Sequence, residues 1–424
     1  MSPDPLQSCP TPSERRITLR VTAAAERSLR HGHPWLYDQA ITRQSHPGRA
    51  GDLAVIFDRE RRFLAIGLYD PDSPLRVRVL RHRRPAPIDE AWFAAQLARA
   101  IAQRAGIPAT ETTGYRLVHG ENDGLPGLVI DRYGRTLVLK LYTTAWVPHL
   151  RPVLAALASV APAERLVLRL SRIVQRQPSL LYGLTDGVVL AGPPLHGPIV
   201  FRERGLQFEV DPVRGQKTGF FLDQRENRAR VESLCAGRTV LDAFGYTGGF
   251  SVYAARGGAR DVTTVEVSQP ALDAARRNMA RNRDHPAVEA ASHRMVAGDA
   301  FDTLRRFRDR GAAFDVVLLD PPAFAKTRDE VGAGLLTYRR LARLGLEVLR
   351  PGGTLMFSSC SSHVSPESFF QTVRRAAVAA KRPLREIERT GHPADHPIGF
   401  AEGAYLKCLF AIAGRAGKRS RVSK

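Results

Sequence analysis

The feature that most constrains the fold is the stretch 240–251, which reads VLDAFGYTGGFS. An apolar run containing Asp242 leads into a glycine-rich turn and then into a predicted helix. Because Gly245, Gly248 and Gly249 lack a Cβ atom, the backbone can turn tightly and approach a ligand at the helix N-terminus. The G-x-x-G-G spacing differs from the G-x-G-x-x-G motif that holds a dinucleotide pyrophosphate. With an acid just before it, this turn suits a ligand with a positively charged amino-acid end, and S-adenosylmethionine is such a ligand.

Further acidic residues lie at the ends of three more apolar stretches. Glu266 ends the second stretch, Asp299 follows the third, and Asp320 follows the fourth. Parallel strands of a doubly wound sheet end at one edge, and this edge binds the ligand. We expect Asp242 near the methionine end of the cofactor, Glu266 at its ribose hydroxyls and Asp299 by its adenine. Taken alone, the glycine-rich turn would fit an ordinary strand-to-helix connection equally well.

The bulk composition is that of a globular protein with several cores. A chain of 424 residues with 43% hydrophobic and 25% charged residues has room for two or three domains. No apolar run is long enough to span a bilayer and the N-terminus lacks a signal-peptide core, so we expect a cytoplasmic protein that does not bind membranes. The four cysteines are scattered without a C-x-x-C pair, which predicts no metal site and no disulfide framework. The oligomeric state stays open.

The charge balance indicates a polyanionic partner. Lys and Arg number 63 against 42 Asp and Glu, a net charge of +21, with arginine-rich runs at 76–84 and 414–424. Such an excess favours RNA, because basic side chains neutralise phosphates and release counterions. A genome that uses arginine freely would explain the abundance of arginine better than it explains the net excess.

The pattern along the chain predicts a β-rich domain, a central α/β domain and a C-terminal cofactor domain. The polar, proline-rich residues 1–15 are predicted to be disordered. A helix at 88–105 and strands flanking the E-N-D-G turn indicate the central domain. The predicted strands of the first domain are 17–21, 53–58, 63–69 and 75–80. The predicted domains are 1–84, 85–210 and 211–414, followed by a basic tail at 415–424.

Residues outside the glycine-rich turn complete the predicted cofactor site. The segment 219–225, GFFLDQR, carries aromatic and then polar side chains that can close over the ligand. Alternatively, Asp223 simply caps the following helix. Besides Asp242, Glu266, Asp299 and Asp320, the predicted cofactor-binding residues are Phe221, Asp223, Gln224, Arg225, Phe244, Tyr246, Thr247 and Gly248.

Asp320 opens a segment with the sequence D-P-P-A-F. Pro321 and Pro322 fix the backbone, and Phe324 is placed where its ring can stack on a base. These three residues are the predicted substrate-binding residues. Many methyltransferases of exocyclic amines use such a segment to accept the amino hydrogens.

Cys360 follows a predicted strand at 354–359 and is the candidate nucleophile. Carbon 5 of a pyrimidine is a poor nucleophile, but addition of a thiolate at carbon 6 produces an enamine-like carbon 5 that can take a methyl group. The alternative is that Cys360 is a small buried apolar residue, the usual fate of an unmodified cysteine.

Several motifs together resemble those of the bacterial large-subunit ribosomal RNA cytosine-5 methyltransferases. The segment RHGHPWLYDQAI at 30–41 resembles the start of the PUA domains attached to RNA-modifying enzymes, which bind RNA. The other motifs are RLVHGENDGLPGL, GFFLDQR, YTGGF, LDPPAF, FSSCS, ADHP and EGAYLK. The resemblance covers nearly the whole chain. It implies a PUA domain, a small central α/β domain and a C-terminal class I methyltransferase domain that uses S-adenosylmethionine.

The resemblance also implies an activity, the formation of 5-methylcytosine in large-subunit ribosomal RNA. Asp320 would hold the exocyclic amine and ring nitrogen of the cytosine while Cys360 attacks. Many RNA cytosine-5 methyltransferases have a second cysteine where this chain has Ala323, so the sequence resembles the single-cysteine branch. Two alternatives stay open: methylation of an exocyclic base amine in RNA, and a non-catalytic RNA-binding factor in ribosome assembly.

Overall fold

The computed structural model describes residues 4–415. All but the first residue of the predicted basic tail, 415–424, therefore lies outside the described residues. The chain forms two compact units. The first runs up to Gly205 and includes Val210–Leu222 and Ala394–Phe400. The second comprises Leu206–Glu209, Asp223–Pro393 and the described residues from Ala401 onward.

The first unit begins with a six-stranded sheet in the order β2-β6-β5-β4-β1-β3. Alternate residues of the first strand, Ile17, Leu19 and Val21, are buried in its core. The sequence did not predict the short helix α1, which lacks an apolar stripe and starts where the Thr22 hydroxyl accepts a hydrogen bond from the Ala25 amide at 3.3 Å. The elements are β1 (Ile17–Val21), α1 (Ala23–Arg30), β2 (Trp35–Leu36), β3 (Ile41–Gln44), β4 (Leu53–Phe57), β5 (Phe63–Tyr69) and β6 (Val77–His82).

The arginine-rich strand β6 does not alternate cleanly between a basic and a buried face. Its pairing with β5 shifts register beside Gly67, and Arg78 and Arg81 are both partly buried. A Cβ atom on Gly67 would lie 2.3 Å from the Arg78 carbonyl oxygen, so only glycine fits there. The Arg78 guanidinium lies 3.6 Å from the Asp70 carboxylate. Part of the positive charge of this strand is therefore used within the fold.

A five-stranded sheet in the order β11-β10-β9-β8-β7 forms the rest of the first unit. Helix α2 begins one residue after Asp89, whose carboxylate accepts a hydrogen bond from the Trp92 amide at 2.9 Å. Phe93 and Leu97 are fully buried, as the predicted helical stripe requires. The elements are α2 (Glu90–Ala102), β7 (Gly114–His119), β8 (Leu128–Tyr133), β9 (Thr136–Leu141), α3 (Leu150–Val160), β10 (Arg165–Leu170), α4 (Arg172–Gln175), β11 (Val189–Ala191) and β12 (Ile199–Glu203).

The ADHP motif at 394–397 belongs to the first unit, although the sequence analysis assigns it to the C-terminal domain. The Asp395 carboxylate accepts a hydrogen bond from the Arg116 amide at 2.9 Å, and its carbonyl accepts one from Arg104 at 3.0 Å. Arg104 is also bonded through two nitrogens to the Asp123 carboxylate, at 2.8 and 2.7 Å. This motif is thus part of a buried polar network in the central domain.

The start of the chain differs from the disorder predicted for residues 1–15. Leu6 is only 5% exposed and belongs to the hydrophobic core that includes Leu150 and Val153 of α3. The Arg151 guanidinium holds the segment through the Asp4 carboxylate at 2.8 Å and the Leu6 carbonyl at 2.9 Å. The polar composition of the segment predicted disorder, but its apolar residue Leu6 packs into the core beside α3.

The second unit is built on a seven-stranded sheet in the order β16-β15-β14-β17-β18-β20-β19. The strands from β16 to β18 are parallel, while β20 is antiparallel to both its neighbours. This is the predicted doubly wound α/β fold. The elements are β13 (Leu206–Val210), α5 (Arg225–Glu232), β14 (Thr239–Ala243), α6 (Gly249–Arg256), β15 (Asp261–Glu266), α7 (Gln269–Ala280), α8 (Pro286–Ala290), β16 (Ser292–Ala297), α9 (Ala300–Asp309), β17 (Phe314–Leu319), α10 (Val331–Val348), β18 (Leu349–Ser359), α11 (Pro366–Ala379), β19 (Leu384–Thr390) and β20 (Lys407–Ala413).

The two faces of this sheet are covered by different helices. Leu241, Val317 and Phe357 share one core cluster with residues of α9, α10 and α11. Helices α6 and α7 pack on β14 and β15, and α5 packs on α6. The strand order reverses between β14 and β17, so the crevice that binds ligands in such folds opens at their carboxyl ends. Among residues 4–415, no helix has both the length and the apolar character needed to cross a membrane.

Replacing Leu6 by Ala tests whether the N-terminal segment is docked. Because the side chain is buried, its truncation should lower the free energy of unfolding of the first unit by about 2 kcal/mol. Urea denaturation followed by tryptophan fluorescence measures this change, since all three tryptophans lie in the first unit. The control is Leu336→Ala, because Leu336 is 65% exposed. Equal stability of the two variants would contradict the docking.

Candidate active site

The loop after β14 takes an unusual backbone path. Three of its residues have positive φ angles: Phe244 at 67°, Tyr246 at 47° and Gly248 at 77°. This region is unfavourable for residues with a side chain, so two aromatic residues are held in a strained conformation. The Tyr246 amide donates a hydrogen bond to the Glu266 carboxylate at 3.0 Å, which helps to hold the strained turn. The sequence predicted Phe244 and Tyr246 as cofactor-binding residues, but it did not predict their positive φ angles.

The glycines of the loop are required by packing. A Cβ atom on Gly245 would lie 2.4 Å from the Thr264 methyl carbon, and one on Gly248 would lie 2.9 Å from the Ala275 Cβ. The loop therefore rests directly on β15 and α7. The physical reason for these glycines is the close approach of β15 and α7 within the protein, whereas the sequence suggested close approach to a ligand.

Asp242 is fully buried at the base of the loop. Its Oδ2 accepts a hydrogen bond from the Ser251 hydroxyl at 2.6 Å, whereas its Oδ1 has no partner among the described residues. Burial, together with the nearby Asp320 and Glu266 charges, raises the pKa of Asp242 to about 7. The Thr247 hydroxyl, just before α6, is also buried and has no partner within residues 4–415. Unsatisfied buried oxygens of this kind fit a cationic, hydrogen-bonding ligand group.

A chain of polar side chains supports Asp242 from within the unit. The Ser251 hydroxyl is 2.6 Å from that of Thr264, which in turn is 2.8 Å from the His293 Nε2. Burial lowers the pKa of His293 to about 4, so its imidazole is neutral at pH 7. The sequence did not predict this chain of side chains. The signal available was the pair of threonines, Thr263 and Thr264, between the valines of β15.

Glu266 and Asp299 lie at the ends of the next two strands. The Glu266 Oε1 accepts hydrogen bonds from the Val267 and Ser268 amides at 2.9 and 3.0 Å, which orients the half-buried carboxylate. Asp299 is exposed and caps α9 through the Asp302 amide at 3.0 Å. Glu266 ends β15, the parallel neighbour of β14, and Asp299 follows β16, which pairs in parallel with β15, so both acids lie at the predicted edge of the sheet.

The segment before α5 contributes three buried polar residues to the second unit. The Asp223 carboxylate accepts a hydrogen bond from the Tyr405 hydroxyl at 2.8 Å. The N-cap residue of α5 is Gln224, whose side chain does not cap the helix and donates a hydrogen bond to Asp320 Oδ1 at 2.8 Å. Arg225 is 2% exposed and bonds the Glu226 carboxylate at 3.1 Å. Phe221 belongs to the first unit, where the Lys217 ammonium lies 4.6 Å from its ring centre.

Asp320 and Cys360 follow the neighbouring parallel strands β17 and β18. Leu319 pairs with Phe357 across these strands, and the Ser358 hydroxyl donates a hydrogen bond to Asp320 Oδ1. Cys360 stands two residues beyond Ser358 and is half-buried. The structure therefore brings the acid and the thiol to the same edge of the sheet, next to the end of β14.

The loops that carry Asp320 and Cys360 are tied together by Tyr338 of α10. The Tyr338 hydroxyl is 2.8 Å from the hydroxyls of both Ser359 and Ser361, and the latter accepts a hydrogen bond from the Ala325 amide at 3.2 Å. The Phe324 ring centre lies 4.8 Å from that of Tyr338. Phe324 thus has a packing role within the protein, and its stacking on a base stays a prediction.

The two prolines after Asp320 differ in exposure. Pro321 is buried, while Pro322 is exposed. Of the two, Pro322 presents its ring to solvent at the edge where the strands end. A substrate-binding role for either residue stays a prediction.

The four cysteines differ in environment, and all are thiols outside disulfides. Cys235 and Cys408 are fully buried, and burial raises the pKa of Cys235 to about 12 and that of Cys408 well above its usual range. Burial also raises the pKa of Cys9. Only Cys360 lies at the carboxyl edge of the second sheet. Among residues 4–415, no cluster of three or more His, Cys, Asp or Glu side chains could hold a metal ion.

The sequence matches two family models. An S-adenosylmethionine-dependent methyltransferase model matches residues 177–411, and a PUA-like domain model matches residues 19–82. The chain is therefore an S-adenosylmethionine-dependent methyltransferase with an N-terminal PUA-like domain, which confirms the predicted fold class and cofactor.

Curated relatives narrow the family further. A ribosomal RNA large subunit methyltransferase of Deinococcus radiodurans is 49% identical over 95% of this chain and 99% of its own length. Ribosomal RNA large subunit methyltransferase I of Pseudoalteromonas translucida is 37% identical over 91% of this chain and 97% of its own. The chain belongs to the family of the ribosomal RNA large subunit methyltransferases.

Solved structures show the same fold. A methyltransferase crystallised with SAH has a TM-score of 0.79 at 22% identity and covers 94% of this chain and 99% of its own. An S-adenosylmethionine-dependent methyltransferase from Streptococcus mutans has a TM-score of 0.78 at 22% identity, covering 93% and 99%. The fold of this chain thus occurs in experimental structures.

The raised pKa of Asp242 predicts how the stability of the ligand-free protein depends on pH. Between pH 3.8 and about 7, Asp242 keeps its proton in the folded state and loses it in the unfolded state. The free energy of unfolding should therefore fall as the pH rises through this range. Asp242→Asn cannot ionise and should be more stable than the wild type at pH 8 by about 2–4 kcal/mol. Thermal and urea unfolding at pH 5 and pH 8 measure the difference.

Asp299→Asn is the matched control, because Asp299 is exposed and asparagine caps helices equally well. It should leave the pH dependence of the wild type unchanged. If Asp242→Asn and Asp299→Asn had the same stability profile, the buried carboxylate would not carry the effect.

Proposed function

We propose that this protein methylates carbon 5 of a cytosine in large-subunit ribosomal RNA, through a covalent bond between Cys360 and the base. The observation that carries the proposal is the position of Cys360 beside Asp320, at the carboxyl edge of β17 and β18. The names of the relatives support large-subunit ribosomal RNA as the substrate. Action on ribosomal RNA also supports the prediction that the protein works in the cytoplasm.

The cofactor site we propose is the crevice at the end of β14. The unpartnered Asp242 Oδ1 and Thr247 hydroxyl suit the ammonium group of S-adenosylmethionine, and Glu266 suits its ribose hydroxyls. Asp299 would contact the adenine. The other residues proposed for this site are Phe221, Asp223, Gln224, Arg225, Phe244, Tyr246, Gly248 and Asp320.

The reaction needs a nucleophile because carbon 5 of cytosine does not attack a methyl donor by itself. S-adenosylmethionine, when bound, supplies an electrophilic methyl group. The Cys360 thiolate adds to carbon 6, and the electron pair of the carbon 5–carbon 6 double bond makes carbon 5 nucleophilic. After carbon 5 has taken the methyl group, its proton leaves to a base and the sulfur–carbon bond breaks, which restores the ring and the thiolate. Ala323 stands where many RNA cytosine-5 methyltransferases carry a second cysteine, so another group must accept that proton.

Asp320 is proposed to hold the base during the attack. Its Oδ1 takes hydrogen bonds from both Gln224 and Ser358, which fixes the direction of the carboxylate. A carboxylate so oriented can accept a hydrogen bond from the exocyclic amine of cytosine. Pro321, Pro322 and Phe324 continue from Asp320 and are proposed to line the base site.

RNA binding is assigned to the PUA-like domain and to the overall positive charge. The net charge of +21 provides attraction to phosphates, so binding should weaken as salt rises. The match to the PUA-like model supports an RNA-binding role for residues 19–82.

Replacing Glu266 by Ala tests the ribose assignment. Loss of a charge-assisted hydrogen bond should weaken S-adenosylmethionine binding by about 1.5–3 kcal/mol, measured by titration calorimetry. Asp273→Ala is the control, because Asp273 is a partly exposed acid on the next helix, α7. Wild-type affinity in the Glu266 variant would contradict the assignment.

Replacing Cys360 by Ala tests the mechanism. The substrate is large-subunit ribosomal RNA from cells that lack this protein. The variant should form no 5-methylcytosine in it, because no thiolate adds to carbon 6 of the cytosine. Its fold and its S-adenosylmethionine affinity should persist. Nucleoside mass spectrometry measures the product, and RNA containing 5-fluorocytosine should trap the wild-type enzyme, since the fluorine cannot leave as a proton does.

Cys235→Ala and Cys408→Ala are the matched controls, because both thiols are buried away from solvent. Each should keep the activity and the covalent adduct while losing some stability. Peptide mapping should place the adduct on Cys360. An active Cys360→Ala enzyme with N-methylated bases would favour methylation of an exocyclic amine, and RNA binding without any methyl transfer would favour an assembly factor.

A further inference from the structure

Lys407 is a buried lysine directly beside the Cys360 loop. It begins β20, pairs with Ser359 of β18 across the sheet, and is 2% exposed. A buried lysine without a function is rare, because removing an ammonium group from water is unfavourable. The position therefore calls for a physical explanation.

The Lys407 ammonium is surrounded by backbone carbonyls. It donates hydrogen bonds to the carbonyl oxygens of Ser361, of Val364 at 2.7 Å and of Tyr405 at 3.1 Å. Three acceptors match the three N–H donors of a protonated amine, whereas a neutral amine has only two. The site is thus built to hold the charged form.

Two of these three carbonyls belong to the loop that follows Cys360. The hydrogen bonds to Ser361 and Val364 join this loop to β20, while Tyr338 joins it to α10. Lys407 thereby limits how far the loop can move, and with it the Cys360 side chain.

The charge of Lys407 is not neutralised by an acid. Within the part of the chain that the structure describes, Lys407 forms no ion pair with a carboxylate. Burial lowers the pKa of Lys407 to about 8, and the electrostatic interaction with Cys360 opposes this shift. By the same interaction, the ammonium favours the ionised form of the thiol.

We propose that Lys407 is a positioning residue for Cys360. The Lys407 ammonium fixes the loop at 361–364 and stabilises the Cys360 thiolate that attacks the base. The role of Lys407 in methyl transfer rests on the proposed function, but its effect on the ionisation of the Cys360 thiol does not. The other titratable groups at this edge include Tyr338 on α10, Asp320 after β17, the exposed His363 within the loop, and His392 after β19, whose ring lies 4.5 Å from that of Tyr405. All of them are present in every variant compared below.

The test is the rate at which iodoacetamide alkylates Cys360 in the full-length protein, followed from pH 6 to 10 by peptide mass spectrometry. Only the thiolate reacts. In Lys407→Met the pH midpoint should rise by about one unit and the rate at pH 7 should fall about tenfold, as expected for the loss of a nearby opposite charge. Lys407→Arg keeps the charge and should stay close to the wild-type midpoint.

Lys140→Met is the matched control. Lys140 is partly buried in the first unit and donates to the Lys217 carbonyl at 3.1 Å, and burial lowers its pKa to about 8 as well. This variant should leave the alkylation profile unchanged. Circular dichroism and S-adenosylmethionine binding establish that each variant is folded.

A folded Lys407→Met protein with the wild-type midpoint would overturn the proposal. If Lys407→Met does not fold, Lys407→Arg decides: a wild-type midpoint supports the role of the charge, and a rise of about one unit contradicts it. Because alkylation requires neither RNA nor methyl transfer, its outcome is separate from that of the proposed cytosine chemistry. If the thiol effect and the proposed cytosine chemistry both hold, the methylation rate of Lys407→Met should recover at higher pH. A purely structural role for Lys407 would not produce this recovery.

Discussion

The parallel pairing of β17 with β18 is the constraint on which the active edge depends. It sets Asp320 beside Ser358, and the hydrogen bond between them fixes the acid two residues from Cys360. Gln224 adds a second donor to the same carboxylate oxygen. Neither strand alone would define a site, because the acid and the thiol are forty residues apart in sequence.

Buried polar groups around this edge are satisfied to very different degrees. Lys407 has a carbonyl for each of its three protons, whereas Asp242 has one oxygen bonded to Ser251 and the other without a partner among the described residues. Satisfied groups hold the loops in place, and an unsatisfied one is suited to a ligand. The raised pKa of Asp242 expresses the same imbalance. A cationic ligand group beside Asp242 would remove the penalty for its ionisation.

Several arginines of the first unit form hydrogen bonds or ion pairs within the protein, which the net charge does not reveal. Arg104 is bonded to Asp123 and to the backbone of Asp395, and Arg78 lies near Asp70. Arginines held in this way contribute to packing within the first unit and are not available to RNA. The positive charge that attracts a polyanion must therefore come from arginines that remain exposed, such as Arg59 and Arg135.

The sequence by itself determined the doubly wound domain, its cofactor and the order of the acid-tipped strands, because strand patterns and glycine-rich turns are local. It also singled out Asp320 and Cys360 from motifs. The tertiary structure decided what local patterns do not encode. Gly245 is needed because β15 lies against it, and Leu6 is buried because α3 offers a core. Lys407 looks like a surface residue of an apolar strand, and only the carbonyls of a distant loop make it a buried, charged group beside the thiol.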